Sequence, residues 1–362
     1  MIPVISPVGP KSRPRIAIVG DFPNDDEARI GIPFVGREEK LLNTLLASAE
    51  VHRKDCYITK VFREKPLMRD MSDWTHTKTE LKKLDLKAIG GPIIKASYLH
   101  PSKFSQVEAF RAEIAAVRPN IILALGSIPL WALTGERSIM KNRGSVLVTP
   151  GHPQDPIPQK ILPTYEIYKL ISQWDLYPII TSDFKKAARL SHTPENIIPS
   201  RQLWLRPTLE DLDEYFTKHI EADTGSIAVD IETQARQITC IGFASSKSSA
   251  IVVPFWNSKL PPNQDPNYWP TPELEAAAMR WCKKVLDHQR PKVFQNGMYD
   301  MTYLWRIWGM PTRNPRHDTM LLHHSLQPEL MKGLGFLGSI YTDEPSWKFM
   351  RKSSMDTEKR EE

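Results

Sequence analysis

Apolar and polar positions alternate in blocks that predict strands and helices in turn through the first half of the chain. Residues 15–19 (Arg-Ile-Ala-Ile-Val) form a short apolar run, and 37–50 carries Leu41, Leu42, Leu45, Leu46 and Ala49 at helical spacing. Residues 56–62 read as a second strand, 105–117 as a helix, and 120–125 (Asn-Ile-Ile-Leu-Ala-Leu) as a buried strand ending at Gly126. Strands alternating with helices predict an α/β layer built on a parallel sheet. Between them, 64–100 is polar and basic without a clear period, which predicts a loop or flap.

Patterning breaks at 192–201, where prolines cluster, and Thr208-Leu-Glu-Asp211 offers a capping box for a helix over 209–220. Strands are expected at 226–231, 237–244 and 250–255. A helix at 272–288, a strand at 292–295 and helices after Tyr299 and His317 complete the pattern. Strands first and helices later predict an α+β unit. The expected organisation is a first domain at 12–191, a linker at 192–205, a second domain at 206–348 and a charged, frayed tail at 349–362.

Composition narrows the class. The 362 residues carry 48 Lys+Arg against 42 Asp+Glu, a formal net charge of +6, which is compatible with a nucleic-acid partner. Cys56, Cys240 and Cys282 form no C-x-x-C pair, so a disulfide framework or a four-thiolate zinc or iron–sulfur centre within one chain is not expected. Few cysteines, no signal-peptide pattern and no apolar run long enough to span a bilayer predict a soluble protein in a reducing cytoplasm, without a membrane partner. The 31 prolines exceed the usual ~5% share and are spread along the chain, so they mark many loops.

The second half holds the clearest chemistry. Asp230 and Glu232 lie two residues apart on a predicted strand, so both carboxylates point to one face. Hard cations such as Mg²⁺ take oxygen ligands arranged this way. A strand running into Asn296-Gly297 then opens a helix that presents Asp300, a third carboxylate of the kind a two-metal phosphodiester site needs. These residues resemble the 3′–5′ proofreading exonuclease of family A DNA polymerases, a ribonuclease H-like fold. Val-Asp-Ile-Glu-Thr at 229–233 matches its first motif, and Asn-Gly-Met-Tyr-Asp at 296–300 its second. Residues 317–326 are similar to the segment after the second motif in that family, and 334–348 looks like phage members of the group.

The resemblance implies that Asp230 bridges two Mg²⁺ or Mn²⁺ ions, Glu232 holds the water-activating ion, and Asp300 helps hold the other. Asn296 is expected near the DNA. The family's third motif, a tyrosine with an aspartate four residues on, has no counterpart up to Glu362. Tyr341 has Pro345 four residues on, while Asp343 and Asp356 read as solvated charges and Asp318 as structural. The water-side ion is therefore expected to be weakly held. The chain is expected to be inactive alone or to need a separate polymerase chain.

Residues 16–190 resemble the family 4 and 5 uracil-DNA glycosylases. Gly20 to Gly36 matches their first motif, and 118–126, Arg143-Gly144 and Leu162-Pro-Thr-Tyr165 come next in the family's order. The resemblance implies a base pocket in which Phe34 stacks on uracil. Here Asp21 replaces the water-activating glutamate, Lys60 the uracil-reading asparagine, and Glu166 the histidine that stabilises the departing base. A carboxylate there opposes the negative charge that develops on the base. The family 4 iron–sulfur cysteines are absent. The pocket is thus expected to be degenerate and the domain to bind DNA, with Lys60, Arg63, Lys65, Arg143 and the basic insertion meeting phosphates. Trp74 and Trp131 are candidates for stacking on bases, Trp131 being the better core residue.

The leading expectation is a DNA-replication protein acting on single-stranded 3′ ends. The alternatives are a non-catalytic DNA-binding or polymerase-associated module, and an active uracil-DNA glycosylase.

Overall fold

The computed structural model describes residues 4–68, 70–89, 91–93, 95–150, 157–257 and 266–345. The expected tail, with Trp347, Lys348 and Asp356, and the His152-Pro153 pair lie outside them. Packing divides the chain into two units, one running to Ile197 and rejoined from Gly335, the other Ile198–Leu334.

In the first unit the helix–strand alternation produces β1 (Ile16–Gly20), α1 (Asp25–Ile30), α2 (Arg37–Ser48) and β2 (Cys56–Lys60). The expected flap at 64–100 is instead folded. It contains β3 (Thr75–Thr77), α3 (Lys78–Lys83) and β4 (Ser97–Leu99), with β3 and β4 paired antiparallel. Met71, Trp74, Leu81, Ile93 and Leu99 are all buried. Trp74 packs against Phe22 and Phe62 at centroid distances of 6.2 and 5.1 Å, so it is a core residue and not a stacking platform for bases. Three-residue strands are too short to set a period, which is why the segment reads as structureless.

The unit continues with α4 (Pro101–Val117), β5 (Ile121–Leu125), α5 (Ser127–Thr134), α6 (Ile139–Asn142), β6 (Leu147–Val148), β7 (Lys160–Thr164) and α7 (Tyr177–Leu190). The sheet order is β2-β1-β5-β7-β6, parallel except for β6. β1, β2, β5 and β7 are buried at every position, as strands covered by helices on both faces must be. Their C-terminal ends bring Gly20, Lys60, Leu125 and Thr164 to one edge of the sheet. Trp131 is in the core.

The second unit contains β8 (Gln202–Trp204), α8 (Leu209–Tyr215), β9 (Ile227–Gln234), β10 (Gln237–Ala244), β11 (Ser249–Pro254), α9 (Pro272–Asp287), β12 (Lys292–Phe294), α10 (Gly297–Trp308), β13 (Pro315–Asp318) and α11 (Thr319–Leu326). The capping box at Thr208 forms, but the helix is α only to Tyr215 and π-helical over Phe216–Glu221. Buried Arg290 donates to the carbonyls of His219 and Ile220 at its end. The sheet order is β13-β12-β9-β10-β11-β8. β9, β10 and β11 form an antiparallel meander, and β12 and β13 continue parallel to β9. That strand order is ribonuclease H-like. Ala235 and Arg236, at φ 48° and 65°, make the two-residue hairpin between β9 and β10.

The last helix, α12 (Leu334–Tyr341), corrects the end expected for the second domain at 348. From Gly335 the chain packs with the first unit, where Arg143 donates to Ser339 Oγ and lies 5.1 Å from the Phe336 ring. Lys186 donates to the carbonyls of Gly144, Ser339 and Thr342. Arg189 grips Asp343 with two bonds of 2.9 and 2.6 Å, so Asp343 is a paired charge and not a solvated one.

Gly297 opens α10 where a Cβ would lie 2.5 Å from Phe294 Cβ. Gly297→Ala must therefore push the start of α10 away from β12. We expect a loss on the order of 1–3 kcal/mol in urea unfolding. A loss below about 0.5 kcal/mol, the level of an ordinary surface change, would refute this close approach.

Candidate functional site

The expected base pocket of the first unit lies at the C-terminal ends of its parallel strands. Gly20 leaves room there, since a Cβ would lie 2.7 Å from Phe34 Cζ and 3.0 Å from Lys60 Cδ. The loop leaving β1 is organised by Glu27, which is fully buried. Its carboxylate accepts the N–H of Asn24 at 2.8 Å, completing the capping box of α1, and the N–H of Phe34, held at φ 54°.

A buried carboxylate needs a cation, and Lys60 supplies it. Its Nζ lies 3.0 Å from Glu27, 3.9 Å from Asp21 and 4.0 Å from Glu38, and donates to the Phe22 carbonyl at 3.2 Å. The same ammonium lies 4.3 Å from the centroid of the Phe34 ring. Burial opposes the lysine charge, but Glu27, Glu38 and Asp21 together hold its pKa above the ordinary value. Burial also pushes Asp21 up to about 6, against the pull of Lys60. Glu166 pairs with Lys169 at 2.7 Å and packs where a Cβ on Gly126 would touch its Cγ at 2.5 Å. Asp21, Phe34 and Lys60 are thus brought together, with Glu166 near Asp21, and the ammonium occupies a face of the ring expected to stack on a base.

Three expected phosphate contacts are corrected by this packing. Lys60 is buried in the network just described. Arg143 is buried against Asp183 at 2.8 Å and Ser339. Arg63 is tied to Glu113, which also accepts the hydroxyls of Tyr57 and Thr59 at 2.8 and 2.9 Å. Lys65 pairs with exposed Asp25 at the surface.

In the second unit, β9 alternates so that Ile227, Val229 and Ile231 face the core while Asp230 and Glu232 are exposed. Gly242 pairs opposite Asp230 and leaves the surface beside it bare, since a Cβ there would meet nothing closer than 3.8 Å. Asp300, in the first turn of α10, accepts the N–H of Ile231 at 3.0 Å, between the two strand carboxylates. Burial, reinforced by Asp230, pushes Asp300 up to about 6. Asn296 is exposed, in a left-handed conformation at φ 59°, and its N–H donates to Asp318 at 3.1 Å. Asp318 also accepts the N–H groups of Gly297, Met320 and Leu321, which makes it the cap of α11. A feature the sequence reading missed is Tyr299, exposed beside these acids, bonded to Thr233 at 2.6 Å and packed on Tyr303 at 4.8 Å. Its place after Asn296-Gly297 was the available signal.

Asp230, Glu232 and Asp300 are hard oxygen donors, and the repulsion of Asp300 by Asp230 is what a cation relieves. Among the described residues, however, no three His, Cys, Asp or Glu side chains are gathered closely enough to hold a metal ion. The donor set fits a divalent cation, while a closed ligand cluster is not preformed. No helix among the described residues is long and apolar enough to cross a membrane.

The family model of the uracil DNA glycosylase superfamily matches residues 6–189. The chain belongs to the uracil DNA glycosylase superfamily. It is 29% identical over 177 residues to the type-4 uracil-DNA glycosylase of Thermotoga maritima, covering 48% of this chain and 76% of that protein. To the type-4 enzyme of Archaeoglobus fulgidus it is 32% identical over 111 residues, 31% of this chain and 43% of that protein. Among solved structures it is similar to the Aedes aegypti Nibbler EXO domain, at 11% identity and a TM-score of 0.30, covering 42% of this chain and 74% of that one. A likeness so distant adds nothing to the strand order already described.

These charges carry two expected outcomes. Lys60→Met leaves Glu27 buried without its cation and should cost roughly 3–5 kcal/mol, largely recovered in Lys60→Met/Glu27→Gln. Denaturant titration checks this, and additive single-mutant losses would overturn it. Asp300→Asn should instead stabilise the fold at pH 7 by ~1–3 kcal/mol. Because the folded pKa is raised from 3.8 to about 6, the folded chain holds a proton across that window which the unfolded chain has released. Stability contributed by Asp300 therefore falls as pH rises from about 4 to 6, and the variant should lose that part of the slope.

Proposed function

We propose that this member of the superfamily is a DNA-processing protein whose second unit removes nucleotides from single-stranded 3′ ends, in the manner of the exonuclease of family A polymerases. A single observation carries the reading. A ribonuclease H-like sheet presents Asp230 and Glu232 on the exposed face of β9, and Asp300, raised to about 6, bonds the strand between them. A carboxylate kept at this depth without a structural cation is destabilising, which supports a functional reason for it.

Divalent ions, when bound, supply Lewis acidity and an activated water for phosphodiester hydrolysis. Asp230 and Glu232 are the residues to hold them, Mg²⁺ or Mn²⁺, with Asp300 contributing charge from behind. The bare surface at Gly242 leaves space for the strand, and Asn296 and Tyr299 border it. The first unit is a glycosylase-family domain that serves DNA binding without excising uracil, because the Lys60 ammonium lies against the Phe34 ring and Glu166 carries the wrong charge for a departing base. A separate polymerase chain is the partner this reading implies.

The test is release of nucleotides from 3′-labelled single-stranded DNA with Mg²⁺ or Mn²⁺, beside Asp230→Ala. The wild-type chain should degrade the strand, and the variant should lose at least about a hundredfold. Equal rates, or salt-sensitive DNA binding without release in both, would leave a non-catalytic DNA-binding module. Uracil-containing duplex should yield no abasic sites.

A further inference from the structure

Beside the closed base pocket, the first unit retains a cleft of about 600 Å³, a size suited to a small organic ligand. Phe34 and Lys60 do not line it. One wall comes from the folded insertion, through Met71 and Ile93, and the opposite wall from Phe22 and Ile128. These four side chains make an apolar slot for a flat ring.

Around the slot stand Lys95, Arg137 and Lys141, all exposed. Arg137 donates to the Lys95 carbonyl at 3.0 Å, which ties the insertion to the loop before α6 and sets two of the cations side by side. Asp70 and Glu136 also reach this rim, leaving the cations in excess there. Asp21 and Glu166 lie at the strand ends, with Glu166 paired to Lys169. An apolar slot with a cationic rim has the chemistry of a nucleotide site, the base in the slot and the phosphate at the rim.

Its hydrogen-bonding sense is inverted with respect to uracil. Ionised carboxylates only accept hydrogen bonds, so they repel the two carbonyls of a uracil or thymine edge. Guanine, cytosine and adenine each carry an exocyclic amino donor that a carboxylate accepts. We propose that this cleft binds a nucleotide whose base bears an exocyclic amino group, read by Asp21 and Glu166 and anchored through its phosphate by Lys95 and Arg137. This inference is independent of the nuclease reading of the second unit.

Calorimetric titration with GMP, CMP, AMP and UMP tests it, using the full chain as Asp230→Ala in EDTA, so that neither hydrolysis nor metal-dependent binding in the second unit contributes. The amino-bearing nucleotides should bind at least about tenfold more tightly than UMP. Lys95→Ala/Arg137→Ala should weaken all of them about equally, by roughly tenfold, and Asp21→Asn should collapse the preference over UMP to within about threefold. Thermal unfolding of each variant verifies that the fold is intact. A short oligonucleotide ending in dG distinguishes the source. Tighter binding than GMP assigns the cleft to a base in a strand, and equal or weaker binding assigns it to a free nucleotide. UMP binding as tightly as GMP, no binding of any nucleotide up to about 10 mM, or binding indifferent to Lys95→Ala/Arg137→Ala would overturn the proposal.

Discussion

The first unit depends on one buried charge pair, Glu27 with Lys60. Glu27 gathers the N–H groups of Asn24 and Phe34 and so shapes the loop leaving β1. A carboxylate with no exposure to solvent is tolerable only when it is hydrogen-bonded and paired, and the nearest element able to deliver a cation is the end of β2. Lys60 meets that need from the position where the glycosylase families read uracil. Its ammonium must then lie beside the ring of Phe34. The same interaction that stabilises the loop closes the base pocket, so the fold of the superfamily persists while the chemistry implied by resemblance does not.

The second unit handles its buried charge in the opposite way. Asp300 sits behind β9 with a backbone N–H as its partner and Asp230 as a repulsive neighbour. No lysine comes to it as Lys60 comes to Glu27. Asp318, by contrast, spends its oxygens on four backbone N–H groups and is a structural cap. Two aspartates eighteen residues apart in the same unit thus differ in role because of what surrounds them, which no spacing rule distinguishes.

Much of the fold was legible because long buried strands and amphipathic helices announce themselves. The runs at 16–20, 121–125 and 227–234, the leucines of 41–46, and the capping box at Thr208 all become the elements they suggest. Short elements did not. The hairpin of Thr75–Thr77 and Ser97–Leu99 is stabilised by distant packing of Trp74, Leu81 and Ile93 on the core and carries no local period. The helix Leu334–Tyr341 reads as apolar, but its docking partners Arg143, Lys186 and Arg189 lie some 150 to 200 residues earlier.

By itself the sequence determined the fold class of both units, since strand burial and helix spacing arise from local hydrophobicity. It also determined which acids stand on one face of β9, because side chains alternate along a strand. What only the tertiary structure decided was the state of each charge. Lys60, Arg63 and Arg143 read alike as surface cations, yet Glu27, Glu113 and Asp183 withdraw them from solvent, and the cleft beside Asp21 exists only because the insertion folds back to wall it. Desolvation and pairing depend on residues far away in the chain, and no local pattern encodes them.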